Sequence, residues 1–471
     1  MLRLLIAVGA ILVVGSPLSA AQRPNIIMIV ADDHAPWAFG AAGHPDARTP
    51  NMDRLSREGA RLTNCFVATP VCSASRAALM TSRYPTETGI TDYLSPERMP
   101  DLGLDPALPV WPRLLSAAGY RTALIGKWHL GETDRCHPTK FGYDLFTGFR
   151  HGGMTSQNPL VEIDGTERRV TGWTPDILTD HALQFLKENG DGKPFCLSLH
   201  FWAPHANAHK IDKDRTWLPL SAADFGPFRD LDPQVPQPDF PDLDIPRVKR
   251  MTREYLGSIA SVDRNVGRVL QALEDLKLAE NTVVIYTSDH GYNLGHHGIW
   301  HKGNGRWILK NNRGARPNLW DHSLRTPTII RWPGQIPPGT VIDRCVTFLD
   351  WFPTILDMAG MARPKDITLR GRSFLPLLQG EKINWDDNVF VQYRMWDWNQ
   401  TAADLRAYRT PRWKLIRDFH NTGQDELYYL ANDPKELNNL TDSVDPQVVA
   451  VKAKLNHRLQ KAMQKIGDQP N

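Results

Sequence analysis

NIIMIV, residues 25–30, is the stretch whose reading decides the fold. After Asn25 the run is continuously apolar and shows no polar alternation. That pattern makes a strand buried on both faces, the habit of a parallel sheet covered by helices. The run ends abruptly in Asp32-Asp33-His34. TVVIYT, residues 282–287, is a second run of the same kind and ends in Ser288-Asp289-His290-Gly291. Strand patterns also cover 61–67, 122–125, 195–200 and 326–332. Between them lie helical patterns at 51–58, 111–118, 176–188, 251–276 and 349–359, with Gly59 and Gly119 as stop signals. Residues 212–246, rich in Pro, Asp and Phe, read as a long irregular loop.

Strands alternating with helices imply right-handed crossovers, hence an α/β protein with a large, mainly parallel central sheet sandwiched by helices. Four strands run into chemically loaded tips: Asp32-Asp33, Lys127 with His129, His200 with His205, and Asp289-His290. In such sheets ligands bind outside the carboxyl ends of the strands. Past residue 380 the pattern changes to short strands at 388–393, 407–409, 413–417 and 426–430, then a helix over 446–466. The expected organisation is a leader at 1–21, a catalytic α/β domain at 22–380, and a smaller α+β unit at 381–471 built on an antiparallel sheet.

The 471 residues are 41% hydrophobic and 23% charged, which is a globular balance. A net charge of +3 with no basic tract argues against nucleic acid as a partner. Arg3, an apolar run over 4–14 and small residues over 16–21 form a secretory leader too short to span a membrane. The expected location is therefore periplasmic or secreted, with no membrane association after the leader is removed. Export permits disulfides. The density of Cys65, Cys72, Cys136, Cys196 and Cys345 is nonetheless far below that of a disulfide scaffold, and no pairing of the four apart from Cys72 follows from the sequence.

TPVCSASRAALMTSRYPTETG, residues 69–89, carries the nucleophile candidate. Ala77, Ala78, Leu79 and Met80 are helix formers and Ser73 is a candidate N-cap, which sets the Cys72 thiol at a helix N-terminus where negative charge is favoured. Arg76 lies one turn on. Asp32, Asp33, Asp289 and His290 form a second set. Adjacent carboxylates stay ionised only beside a cation, and three carboxylates with one imidazole suit Ca2+ or Mg2+, while the imidazole leaves a transition metal open and the Asp32-Asp33 pair taken alone reads as a solvated turn. Lys127 and His129, two apart in an extended segment, face one way. With His205, Lys302 and Arg76 they complete a cationic ring around the metal, the surroundings a divalent oxyanion ester requires.

These residues carry a resemblance. The run starting at Thr49, TPNMDRLSREGARLTNCFVATPVCSASRAALMTSRYP, together with IGKWHLG, SDHGYNLGHHG and ELYYLANDPKELNNL, resembles the type I, formylglycine-dependent sulfatase family of the alkaline-phosphatase-like superfamily. The resemblance spans nearly the whole chain after the leader. It implies that Cys72 is oxidised after synthesis to formylglycine, whose hydrate is the nucleophile. It implies that Asp32, Asp33, Asp289 and His290 ligate Ca2+, with Cys72 as formylglycine completing the shell. By the same resemblance Arg76 holds the hydrate and Lys127 and Lys302 bind sulfate oxygens. His129 is then the base that breaks down the sulfated intermediate, and His205 protonates or binds the leaving oxygen. Ala74 stands where the usual motif has Pro, which resembles substrates of the oxygen-independent, radical-type maturase.

The segment GNGRWILKNNRGARPNLWDHSLR after Lys302 bears Arg306, Lys310, Arg313, Arg316 and Arg325 with Trp307 and Trp320. It is expected to wall a pocket for an anionic sugar, with Arg313, Arg316 and Arg325 as contacts; a solvated basic loop is the bland alternative. The activity expected is hydrolysis of a sulfated carbohydrate. The alternatives are a phosphonate monoesterase or phosphodiesterase using the same nucleophile, and a sulfated-glycan binder whose Cys72 is never converted.

Overall fold

The computed structural model describes residues 23–189, 192–207, 216–312, 314–398 and 401–470. The expected leader and Arg313 lie outside the described residues. Two sheets carry the architecture. The large one is built from β1 (Asn25–Ala31), β2 (Ala60–Phe66), β3 (Arg121–Lys127), β4 (Leu145–Phe149), β5 (Leu160–Ile163), β6 (Thr166–Arg169), β7 (Phe195–His200), β8 (Thr282–Ser288), β9 (Arg325–Arg331), β10 (Thr340–Ile342) and β11 (Val346–Thr347). Its order is β10-β2-β9-β8-β1-β7-β3-β4-β5-β6, with β11 also paired to β2. The small sheet is β12 (Val389–Trp398), β13 (Thr401–Arg409), β14 (Lys414–Asp418) and β15 (Glu426–Tyr428), antiparallel in that order.

β1 is central and buried along its whole length. Its side chains divide strictly by parity: Ile26, Met28 and Val30 enter one core, and Ile27, Ile29 and Ala31 enter the other. Helices cover both faces, as an apolar run without alternation requires. The first face packs α2 (Cys72–Thr81), α3 (Trp111–Ala117) and α6 (Trp351–Met358). The second packs α1 (Pro50–Glu58), α4 (Thr174–Lys187) and α5 (Ile245–Asp275). The first core continues into Val391, Tyr393, Leu405 and Ala407 of the small sheet, and α7 (Pro446–Ile466) closes that sheet's outer face through Leu455, Leu459 and Met463. No helix among the described residues is long and apolar enough to cross a membrane.

Register positions the site. Val30 lies opposite His200 on one side and Thr287 on the other, and Gly126 lies opposite His200. The carboxyl ends of β1, β3, β7 and β8 therefore finish level, and the loaded tips share one edge of the sheet.

The structure differs from the sequence expectation at several points. The 326–332 strand exists as β9 but runs antiparallel to both β2 and β8. β4, β5 and β6 were not foreseen, because β4 is short and contains Gly148 and the β5–β6 hairpin is largely polar. Within 212–246, Ala222–Phe225 is helical, and α5 begins at Ile245, six residues before the expected start, because Asp244 caps it by accepting from the Arg247 N–H and Pro246 suits its first turn. Ser73 is not an N-cap. Val71 holds that position, Cys72 is the first helical residue, and Ser73 Oγ instead accepts from the Leu94 N–H at 2.9 Å.

Candidate active site

Cys72 opens α2, a helix buried at every residue. Its thiol sits on the floor of a cleft of about 620 Å³, whose walls include Tyr93, His129, His205, Trp300 and Lys302. Lys302 Nζ lies 4.0 Å from Cys72 Sγ and 2.7 Å from Asp33 Oδ1. Burial works to raise the Cys72 thiol pKa, but Lys302 and Lys127 outweigh it and hold the group below its ordinary value.

Beneath the cleft is a fully buried layer of charge. Asp32 and Asp33 follow β1, and Asp33 adopts a left-handed backbone with φ 68°. Asp289 and His290 follow β8. One ligand atom each from Asp32, Asp33 and His290 lie within 4.8 Å of one another. Asp289 Oδ1 stands 3.4 Å from His290 Nε2 and accepts from the Asp33 N–H at 3.3 Å. Lys127 Nζ bonds the Asp32 carboxylate and donates to the Gly152 carbonyl at 2.6 Å. Arg76 meets Asp289 Oδ2 at 3.0 Å and Asp32 Oδ2 at 3.7 Å.

Titration follows these contacts. Burial opposes ionisation of Asp32, yet Lys127, His205, Lys302 and Arg76 together hold it well below the carboxylate range. Asp33 and Asp289 are pushed up, first by burial, then by neighbouring carboxylates that their cations do not fully offset.

The donor set fits a hard divalent ion. Asp32 Oδ1, Asp33 Oδ2 and His290 Nε2 are buried and lack hydrogen-bond partners, although buried polar atoms are normally satisfied. Carboxylate oxygens with one imidazole suit Ca2+ or Mg2+. The tautomer of His290 suits the same purpose: Nδ1 lies 3.0 Å from the Gly291 carbonyl, which can only accept, so the Nε2 lone pair is left for the centre.

His129 is not in an extended segment as its spacing from Lys127 suggested; its φ is 56°. That turn sends the ring against Gly152, where a Cβ would sit 2.4 Å from Nε2. His129 Nε2 donates to the Leu94 carbonyl at 3.1 Å, and Nδ1 is buried without a partner, a lone pair free to accept a proton. Burial and Lys127 keep the ring neutral, its pKa well below the ordinary value. His205 Nδ1 donates to the Ala206 carbonyl at 2.6 Å, leaving Nε2 towards Asp33 Oδ2 at 3.7 Å. Burial and then Lys302 pull His205 down to about 3.

The fold thus gathers Asp32, Asp33, Cys72, Arg76, Lys127, His129, His205, Asp289, His290 and Lys302 into one centre. Two further candidates stand elsewhere. Arg316 pairs with Glu426 and stacks on Trp320 at 5.8 Å. Arg325 opens β9 and lines a separate pocket beside Trp37 and His322. Neither reaches the cleft, because the chain leaves Lys302 and returns through β-bridges at Ile299–Trp307 and Arg306–Ala315, which keep Arg306 at the cleft and carry Arg316 away. Glu97, Arg98, Glu132 and His151 also line the cleft and were missed. They lie on loops without a motif, so no local signal marked them.

Comparison with known proteins follows the same lines. The sulfatase family model matches residues 24–361, and the model of the N-sulphoglucosamine sulphohydrolase C-terminal region matches 315–465. The N-acetylglucosamine-6-O-sulfatase of Bacteroides thetaiotaomicron is 29% identical, over 89% of this chain and 83% of the relative. The steryl-sulfatase of Mus musculus is 30% identical, over 91% and 80%. A solved structure in complex with its substrate D-glucosamine-2-N,6-O-disulfate aligns with a TM-score of 0.76 at 27% identity, covering 95% of this chain and 99% of that one.

Proposed function

The chain belongs to the sulfatase family and is a sulfuric ester hydrolase; on that premise we propose that it removes sulfate from a sulfated carbohydrate, using formylglycine derived from Cys72 and a Ca2+ ion. One observation carries this reading. Three carboxylates, an imidazole and the cations Arg76, Lys127 and Lys302 converge on the residue that opens α2, at the floor of a cleft wide enough for a sugar. The carbohydrate preference draws support from two of the relatives, one a sulfatase of N-acetylglucosamine and one bound to a disulfated glucosamine.

Asp32, Asp33, Asp289 and His290 would hold the cation, which supplies Lewis-acid stabilisation of charge on the sulfate and the attacking oxygen. Formylglycine, once hydrated, would supply two hydroxyls on one carbon, a nucleophile for sulfur and a second group whose deprotonation would release sulfate by C–O cleavage and restore the aldehyde, an exit that a thiol or a serine hydroxyl lacks. The remaining chemistry belongs to residues already in position. Lys302, beside Cys72, and Lys127 offset the charge of the sulfate oxygens. Arg76 holds Asp289 and Asp32 and so fixes the carboxylates from below. His129 takes a proton at Nδ1, the nitrogen that the Leu94 contact leaves free. His205 presents Nε2 to the leaving oxygen at the cleft wall. Ala74 directs maturation towards the radical-type system, and the 1–21 leader directs the protein to the periplasm or outside.

Peptide mass spectrometry on the protein from its native host is expected to find formylglycine at residue 72. The same preparation is then assayed on 6-O-sulfated hexosamines, a steryl sulfate, an aryl sulfate and an aryl phosphodiester. Turnover of the sulfated sugars at least tenfold above the others supports the reading. Faster cleavage of the phosphodiester overturns it in favour of the phosphoesterase alternative, and unmodified Cys72 with tight glycan binding overturns it in favour of a binder.

A further inference from the structure

A second pocket, of about 210 Å³, lies between the loop after Asp33 and the β2–β9 pair and shares no lining residue with the cleft. Pro36, Trp37, Arg61, Thr63, His322 and Arg325 are among its walls. Leu62 and Thr63 on its wall lie where the register of β2 with β9 shifts, between Leu62 and Cys65. It has room for several molecules of the size of water, at about 30 Å³ each.

The charge of this pocket is one-sided. Among the described residues, no Asp or Glu lines it. Arg61 has no carboxylate partner among the described residues. The carboxylate nearest Arg325 is Asp321, 3.9 Å away, and Asp321 is already held at 3.1 Å by Arg409 and at 2.9 Å by Lys414. His322, only 8% exposed, has an Nδ1 with no hydrogen-bond partner. Trp37 spends its indole N–H on the Tyr292 carbonyl at 3.1 Å, so the ring enters the pocket as an apolar wall. One guanidinium without a carboxylate partner, a second that shares its only carboxylate with two other cations, and an imidazole nitrogen without a partner, in an otherwise largely apolar hollow, select a small anion that accepts several hydrogen bonds at once.

We propose that this pocket is a second oxyanion site, binding a tetrahedral inorganic anion through Arg61, Arg325 and His322, separate from the site of ester hydrolysis. Sulfate and phosphate share the required chemistry, and sulfate is a product of this chain's own reaction. The walls continue directly into the catalytic layer. Trp37 lies four residues after Asp33, and the Ser323 carbonyl accepts from the Gly291 N–H at 2.9 Å. Gly291, next to His290, packs so tightly on this wall that a Cβ would meet the His322 and Arg325 carbonyl oxygens at 2.1 and 2.5 Å. An anion bridging Arg61 to Arg325 and His322 ties β2 to the start of β9 without touching a residue of the cleft.

Equilibrium dialysis of the full chain against radiolabelled phosphate, and separately against radiolabelled sulfate, tests the site. Arg61→Gln and Arg325→Gln are each expected to take up one anion fewer per chain than the wild type, with Arg61→Gln keeping kcat and KM on an aryl sulfate within about twofold. A deficit for one anion alone, or for both, supports the site and identifies its ligand. Equal uptake by the wild type and both variants overturns it, as does a deficit accompanied by loss of aryl sulfate turnover in Arg61→Gln.

Discussion

His129 shows how much of the site rests on single side chains and on the absence of one. Its ring reaches its place only because residue 152 lacks a Cβ and because its own backbone turns left-handed. Gly152→Ala is therefore expected to displace the ring and lower kcat about 100-fold with little change in KM, as a misplacement near 1 Å does; steady-state kinetics measures it. Lys127 carries a different load. It is fully buried against Asp32, so Lys127→Ala leaves that carboxylate with only the longer Arg76 contact at 3.7 Å and is expected to lower stability by about 3 kcal/mol. In denaturant titrations that loss should shrink when Ca2+ is added, because a bound cation takes over the lost charge; an undiminished loss would count against a cation at Asp32. These residues were legible in the sequence as chemistry at strand tips. The tautomers were not, since they depend on the carbonyls of Leu94, Ala206 and Gly291, which meet the rings only in the fold.

Between residue and molecule, the short helical turn Asp321–Leu324 joins the two sheets. Lys414 of β14, with no exposed surface, donates to Asp321 at 2.9 Å and forms an ion pair with Glu436 at 2.7 Å, and Glu436 in turn accepts from the Asp321 N–H. Lys414→Met is expected to cost about 3 kcal/mol by stranding Glu436, while Asp321 keeps Arg409, read as a lowered denaturation midpoint. Beside that turn, His296 stacks on His322 at 3.9 Å and His297 on Trp320 at 4.0 Å. Burial pulls His296 down to about 4 and His297 to about 3. The unfolded chain binds protons on these rings as pH falls below the ordinary value of 6.5, and the native chain does not. The stability these rings supply is thus whole above pH 6.5 and is lost progressively towards pH 4, on the order of 2 kcal/mol per ring by pH 5. Urea titrations between pH 7.5 and 5 should show this slope, reduced in His296→Phe. Strongly apolar elements such as β1 and β8 were readable to within a residue, because a strand buried on both faces leaves no other pattern. β5 and β6 were not, because an exposed edge hairpin has no apolar period to read.

At the scale of the whole molecule, one core runs from the main sheet through α6 into β12 and β13. Residues 23–380 produced alone are therefore expected to aggregate, having lost Val391, Tyr393 and Leu405 from that core; a monodisperse, cooperatively melting fragment would contradict a shared core. Removal of divalent ions is expected to lower the thermal midpoint along with activity, and restoring Ca2+ to 100 times its Kd returns about 2.7 kcal/mol, measured by calorimetry. By itself the sequence determined the central sheet, the helices on both its faces and the charged residues that end its strands, because each of these is written in contiguous residues: apolar runs, and charged tips that end them. The tertiary structure alone decided which cations reach the cleft. Arg306 stays there, while Arg316 and Arg325 turn away to Glu426 and to a pocket of their own. That choice depends on bridges within one loop and on carboxylates more than a hundred residues distant, and no local pattern of charge records which partner a long, flexible side chain will meet.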